Sequence, residues 1–534
     1  MKAPRPRMDV NLEELDQIID GGMRAPLSES DGEKLKAVIH ILAERVKPRW
    51  RTTEKTSAVL PQPPGSEPAA EKAQPEGERQ PEGHGRNGAA RFTSARIVRV
   101  QHKTLDPGDI CPECGVGKVY RQKEPKTLVR IIGRPPLEGT RYEMERLRCN
   151  GCGEVFTADE PAEAGAEKYD ETAAAMIAQL RYGSGVPFKR LERLEGNLGI
   201  PLPAATQWGV AEKAALGLRP VYDEYIRQAA LGEVMHNDDT GMRILKLARE
   251  PADSRTGIFT SGIVSLGPGW KIALYFSGAK HAGENLAELL KQRPPGLAPL
   301  IQMCDALSWN TSHLPEGVER LLAHCMSHGR RQFVEVAENF PEECRYVLET
   351  LGGIWHHDAL AREQRLSPDE RLCFHQEHSS PLMKTLHDWM EAQLAERKTE
   401  PNSGLGKAIR YMLRHWLPLT LFLREPGAPI DNNLVERILK KAILHRRNSL
   451  FYKTLNGARV GDLFMTLIHT CELNGANPFD YLTELLRHSA ELKERPSEWM
   501  PWNYRATLAQ LVTPSAGNIM VLPGRKGSMA ARVK

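Results

Sequence analysis

Two groups of side chains in this sequence have the types and spacing that chemistry requires: carboxylates that end apolar strands, and cysteines in close pairs. In GEVMHNDDTGM, Asp238 and Asp239 interrupt a strand pattern, and neighbouring strand residues point to opposite faces, so only one can serve a given site. In LAPLIQMCDALSWN a second apolar strand ends at Asp305, a common position for ligand chemistry. Glu436 lies in PIDNNLVERILKKAILHRRN, where Asp431 or Asn432 caps a helix that carries Glu436 in its first turns.

The surroundings of Glu436 are cationic. From Leu434 to Val460, Arg437, Lys440, Lys441, Arg446, Arg447, Lys453 and Arg459 stand against that one acid, a local charge of +6. A basic face with an incidental Glu is one reading; a metal ligand beside a nucleic-acid backbone is the other. Three hard oxygen ligands would suit two Mg2+ or Mn2+ ions, which activate an attacking oxygen and stabilise a leaving one in phosphoryl transfer. Arg437, Lys440, Lys441, Arg446 and Arg447 are then the candidates for holding DNA phosphates.

Cys111 and Cys114 form CPECG, Cys149 and Cys152 form CNGCG, and the spacer between the pairs is longer than usual but can hold a hairpin. A CxxC turn followed by glycine lets two sulfurs face one ion, so the four cysteines predict one structural Zn2+ with no open catalytic position. The adjacent pair His356 and His357 diverges by about 100° on a helix and is a poor ligand pair. Trp389, Trp416 and Trp502 read as core residues, whereas Phe451 and Tyr452 are better placed to touch DNA.

The elements that must position these groups follow from the patterning. At 534 residues and 40% hydrophobic the chain supports about three to four domains. No apolar run reaches the roughly 18 residues of a membrane helix, which predicts a soluble, cytoplasmic protein with no membrane partner. The net charge of +4 excludes a globally cationic binder and leaves any nucleic-acid site local. Residues 1–48 carry an amphipathic helix able to dock or to pair as a short coiled coil, and 49–91 form a Pro/Gly/Glu-rich linker. Residues 92–160, with strand-like ARIVRV, TLVRIIG and YEMERLRC, form a zinc-ribbon-like module. Residues 165–230 read as helix, Gly/Pro turn, helix, a possible helix-turn-helix for DNA. Three strands, a helix and a further strand follow Gly232, and nearly everything after Asn310 reads as helical, ending in a mixed, partly disordered tail.

HNDDTGMRIL, CDALSW, CMSHGRRQF, GKAIRYMLRHW, IDNNLVERILKKAILHRRNSLF and the closing LIHTCELNGANPFDYLTELL with MPWNY, in this order, resemble the transposases of the insertion sequence 66 family. The resemblance implies a multidomain α/β plus α protein whose ribonuclease H-like catalytic domain spans 231–310 and 426–490, with a helical insertion at 311–425 and a C-terminal tail at 491–534. It implies a DDE triad at Asp238, Asp305 and Glu436, the second interval being much the longer, and adds Arg331 to the DNA contacts. Asp239 stands where the family pattern has Glu, and Gly241 where it has Pro.

The implied activity is metal-dependent cleavage and strand transfer at terminal inverted repeats. The implied partners are double-stranded DNA (element ends and target), further copies of the chain, and accessory proteins of the same element. A catalytically decayed or repurposed DNA-binding protein is the alternative, and a metal-dependent nuclease a third.

Overall fold

The apolar runs after Gly232 become strands because they are rich in β-branched and aromatic residues and are punctuated by glycine. The computed structural model describes residues 56–60, 96–123, 126–131, 134–247, 255–311 and 313–512. Contacts divide the chain into two units, one holding described residues 96–325 and 417–512, the other 56–60 and 326–416. The N-terminal helix, most of the linker and the tail beyond residue 512 lie outside the described residues.

In the first unit, β1 (Arg146–Arg148) and β2 (Val155–Thr157) pair antiparallel beside the second cysteine pair. The central sheet contains β3 (Val234–Gly241), β5 (Phe259–Gly267), β6 (Trp270–Gly278), β7 (Leu300–Cys304) and β8 (Arg320–His324) in the order β6-β5-β3-β7-β8. Its first three strands are antiparallel and its last two parallel to β3. Short β4 (Ile244–Lys246) pairs with β9 (Tyr452–Thr454). Pro268 and Gly269 make the two-residue turn between β5 and β6, with Gly269 at φ +79°, a value that favours glycine.

An edge strand needs cover, because its outward N–H groups invite pairing with another chain. The helix Leu455–Leu473 and the asparagine just beyond it supply that cover along β6. Lys271, Ala273, Tyr275 and Ser277 donate their backbone N–H groups to Asn474, Thr470, Thr466 and Asp462, at 3.1, 3.0, 3.3 and 2.7 Å. The spacings match: four helical residues rise about 6 Å and two strand residues about 6.8 Å, so each helical turn meets the next outward N–H.

The core lies between the sheet and its helices. Tyr225, Tyr275, Phe464, Tyr481, Trp499 and Tyr504 are buried there. The hydroxyl of Tyr225 donates to that of Tyr481, which donates to the Trp499 carbonyl, so the buried phenols are satisfied.

In the second unit, helices Met326–Val336, Pro341–Glu363, Pro368–His378, Ser380–Ala395 and Gly404–Arg414 bury Phe333, Leu348, Leu351, Met383, Leu386 and Met412. Among these apolar chains Asp358 is also buried. Burial opposes its ionisation, but the hydrogen bond from His375 and the Arg371 and Arg362 guanidiniums outweigh it and hold the carboxyl down at about 2. The rings of His356 and His357 stand 6.2 Å apart, and His357 Nδ1 meets the Ser379 hydroxyl at 3.1 Å.

Several expectations change. Arg320–His324 is a strand, so the sheet continues past Asn310; RLLAH is too short for its period to separate strand from helix. The described parts of ARIVRV and TLVRIIG form no strand, and of YEMERLRC only Arg146–Arg148 does. Helix Phe188–Asn197 and a turn lead, as expected, into a second helix, but that helix runs 26 residues, Ala204–Ala229, and buries Leu218, Val221 and Tyr225 in the core. The tail is helical through Tyr504–Val512 and contributes Trp499, Met500 and Tyr504 to the core. Among the described residues no helix is long and apolar enough to cross a membrane.

Thr470→Val removes an acceptor from the Ala273 N–H without changing side-chain size. It should lower stability by about 1–3 kcal/mol, read as a lower urea midpoint at unchanged slope.

Candidate active site

Strand register sets the first two carboxylates side by side. His236 of β3 pairs with Met303 of the parallel β7, and the same register carried two positions further along both strands sets Asp238 level with Asp305. The two acids therefore lie on neighbouring strands and on one face. Asp239 takes the other face. There its Oδ2 meets His281 Nδ1 at 2.8 Å and accepts from the Ala282 N–H, anchoring the start of helix Ala282–Leu290.

The helix Asn433–Ser449 lies over β5 and β3 on the Asp238 face and brings Glu436 in its first turn. Gly262, paired with Asp238, makes this approach possible: a Cβ there would come within 3.0 Å of Leu439 and 3.2 Å of Val435. Asn432 occupies the N-cap position, but its side chain makes no cap bond. It is fully buried and binds both the backbone and a side chain of β3 instead. Its Nδ2 donates to the Asn237 carbonyl at 3.1 Å, and its Oδ1 lies 3.0 Å from His236 Nδ1. Because the amide nitrogen is already committed, Oδ1 is the acceptor and His236 donates. Burial holds His236 down at about 4, so the ring is neutral. Asn432 also donates its backbone N–H to Cys325 Sγ at 3.2 Å. Asp431, the other predicted cap, closes a local turn on Asn433.

The site stores electrostatic strain. Burial, then the charges of Asp305, Asp239 and Glu436, push the Asp238 carboxyl up to about 7. Asp305 is oriented from below: its Oδ1 accepts from the Leu307 N–H at 3.1 Å and from Asn310 Nδ2 at 2.5 Å. The Asn310 carbonyl in turn accepts from Asn237 and Gln302, both buried. A carboxylate so fixed presents its remaining oxygen in one direction. Convergent acids of this kind, short of compensating charge, can hold divalent cations.

The expected phosphate-binding cations divide. Arg437, Lys440 and Arg447 are exposed along the Asn433 helix. Lys441 pairs with Glu472 at 3.4 Å, and Arg446 reaches Thr240 and the Gly241 carbonyl, tying the helix to the end of β3. Arg331 lies in helix Met326–Val336 of the other unit. Phe451 is 38% exposed, but Tyr452 is 5% exposed in β9 and stacks on His445, so its expected access to DNA is withdrawn.

The cysteine pairs form two local knuckles. In the first, the Gly115 N–H donates to the Cys111 carbonyl; in the second, the Gly153 N–H donates to that of Cys149. Backbone N–H groups of Val116 and Gly117 lower the Cys114 thiol, and those of Cys152 and Gly151 lower Cys149. Sulfurs interact within each pair, but among the described residues the four are not gathered into one cluster.

The sequence reading passed over Gly262, the crossing role of Asn432 and the seat beneath Asp305. The doubled asparagine after Asp431 was the available signal: a helix needs one cap, so a second amide is free for another partner.

Residues 168–460 match the family described as "Transposase IS66 family". The chain is 27% identical over 463 residues to the uncharacterised protein y4jD of Sinorhizobium fredii, covering 82% of this chain and 87% of that one. It is 26% identical over 459 residues to y4hP of the same organism, covering 80% of each. No solved structure matches. With its order of motifs and more than half its length matched, the chain belongs to the IS66 family of transposases.

Proposed function

We propose that this protein is the DNA transposase of an insertion sequence, binding terminal inverted repeats and cleaving and joining strands through Asp238, Asp305 and Glu436. The observation that carries this reading is that Asp305 and Glu436, from segments distant in sequence, lie near enough to the buried Asp238 for their charges to add to burial and push its carboxyl up to about 7. The ribonuclease H-like reading of 231–310 and 426–490 draws support from the strand order. Counted along the chain it runs 3-2-1-4-5, with the first three antiparallel. The helical region 165–230 and the cysteine module 92–160 are assigned to recognition of the element ends, and the helical insertion, expected at 311–425, to the unit at 326–416 that follows β8.

The donor set is carboxylate oxygen throughout, which fits two Mg2+ or Mn2+ ions on Asp238, Asp305 and Glu436. Such ions, when bound, activate the attacking oxygen and stabilise the leaving one. The chain's own residues do the positioning. Asn310 and the Leu307 N–H fix Asp305, Asn432 and Gly262 fix the helix of Glu436, and Arg437, Lys440 and Arg447 offer charge to the backbone of the DNA. In cleavage, a water oxygen bonds to phosphorus at the element end and the 3′ oxygen leaves as a hydroxyl. In transfer, that hydroxyl attacks a target phosphorus and displaces the target's 3′ oxygen, with no covalent protein intermediate. The lowered thiols of Cys114 and Cys149 suit thiolate ligands, so one structural Zn2+ is assigned to Cys111, Cys114, Cys149 and Cys152. The active form is read as an oligomer on DNA, with accessory proteins of the same element as further partners.

Purified protein with Mg2+ and DNA carrying the repeats that flank its gene should nick and join strands. Glu436→Gln should keep DNA binding and lose at least about a hundredfold in rate; undiminished activity would remove Glu436 from the site.

A second outcome follows from the raised Asp238 carboxyl. The folded protein holds this proton more tightly than the unfolded chain, whose value is about 3.9, so the resulting stability is present below about pH 4 and is lost as pH rises through about 7. The metal-free thermal midpoint should fall between about pH 5 and pH 8, and Asp238→Asn should flatten that fall. Mn2+ should restore the wild-type midpoint at about pH 8 but not the variant's.

For the cysteine module, elemental analysis should find one zinc per chain, lost in Cys149→Ser. Protease sensitivity should then rise within 92–160 while the central sheet stays protected.

A further inference from the structure

Where Asp305 leaves β7, three aromatic rings form a ladder on the Asp239 face of the sheet. The His281 ring centre lies 4.0 Å from that of Phe259 and 5.7 Å from that of Trp309, the latter pair inclined by only 28°. Two constraints fix the arrangement. The Asp239 carboxylate holds His281 Nδ1 at 2.8 Å. Gly283 lets the Ala282–Leu290 helix close on the Ser308–Asn310 turn, since a Cβ there would come within 2.6 Å of the Trp309 carbonyl oxygen.

Despite this support Trp309 remains 44% exposed. An indole usually buries its apolar surface. Here the ring rests against His281 while much of it stays open to solvent. The bonds that orient Asp305 come from Leu307 and Asn310, on either side of Trp309, so the indole and the carboxylate are held by one short turn.

We propose that Trp309, in the turn that follows Asp305 and on the face of the sheet opposite Asp238, is a stacking platform for an unpaired base of the DNA strand being processed, with His281 and Asp239 as positioning residues. This rests on reading the carboxylates as the strand-transfer site. In a duplex the bases show only their edges, because their faces are stacked on one another, so a ring that offers its face selects a base that has left the stack. Stacking of this kind tolerates any base, and its loss lowers single-strand affinity by about tenfold.

The test uses the full chain in EDTA and a short single-stranded oligothymidylate carrying one 2-aminopurine, whose emission falls when it stacks. Wild-type protein should quench it. Trp309→Ala and Trp309→Leu should lose most of the quench and about tenfold in single-strand affinity, while Trp309→Phe keeps much of both. Affinity for a duplex of the same sequence should be equal in all four proteins. Quenching by Trp309→Leu as full as the wild type's, or equal losses on single strand and duplex, would overturn the proposal. No chemistry is needed for this readout, so Glu436→Gln should quench like wild type. Full activity in that variant would remove Glu436 from the strand-transfer site and leave the platform standing.

Discussion

The constraint on which the rest of this structure depends is the burial of Asp238 among other acids. A buried acid beside two others, with its carboxyl pushed up to about 7, is a liability that a folded chain tolerates only if its neighbours cannot move apart. Each surrounding feature serves that immobility. The parallel pairing of β3 and β7, which ends at His236 and Met303, sets the course of the two segments that carry Asp238 and Asp305. Gly262 lets the third acid's helix sit close, and Asn432 ties the start of that helix to the backbone and side chain of β3. The Tyr275 hydroxyl donates to the Ile438 carbonyl, so β6 holds the same helix from a third side. The ladder of Asp462, Thr466, Thr470 and Asn474 then closes the free edge of β6. The strain of the site is thus distributed over a sheet that cannot slide and a helix that cannot lift.

Chain order shows how a third acid so distant in sequence can belong to that arrangement. The sheet is completed by β8, after which the chain leaves for the helical unit at 326–416 and returns through Leu421–Leu423, which packs against β8 itself. Departure and return are neighbours, so the excursion adds length without separating the ends, and loop-closure entropy grows only slowly with length. The sheet keeps its geometry whatever lies between, and the returning segment delivers Glu436 from the same edge each time.

Most of the sheet, with Asp238 in one strand and Asp305 at the end of another, was legible in the sequence because such strands leave a strong pattern that an acid breaks visibly, whereas Glu436 stood out by the cationic helix around it. GEVMHNDDTGM, FTSGIVSLG and WKIALYFSG carry their own assignment. RLLAH does not: so short a run cannot reveal a period, and its identity as β8 comes from pairing with β7. The helix after Pro203 was expected as the second helix of a possible helix-turn-helix, yet its alanines and tyrosines form a core face that only becomes apparent against the sheet. The roles of Gly262 and Asn432 were passed over for a related reason. A glycine in a strand or an asparagine before a helix has ordinary local explanations, and the reason each is present here lies in a distant segment of the chain.

Asp238 and Asp239 illustrate how one dipeptide can divide labour. Strand alternation sends them to opposite faces, so neither can substitute for the other, and their surroundings diverge accordingly. Asp238 joins two other acids and is left short of compensation, which is the state that attracts cations. Asp239 is satisfied by a histidine and a helix N-terminus, where partial positive charge favours a carboxylate. The satisfied acid fixes an aromatic shelf while the other stays among acids, and both are placed by the same two residues of backbone. A change in β3 register by one residue would exchange their faces, which is why the strand is held on one side by the hairpin with β5 and on the other by the short parallel run with β7.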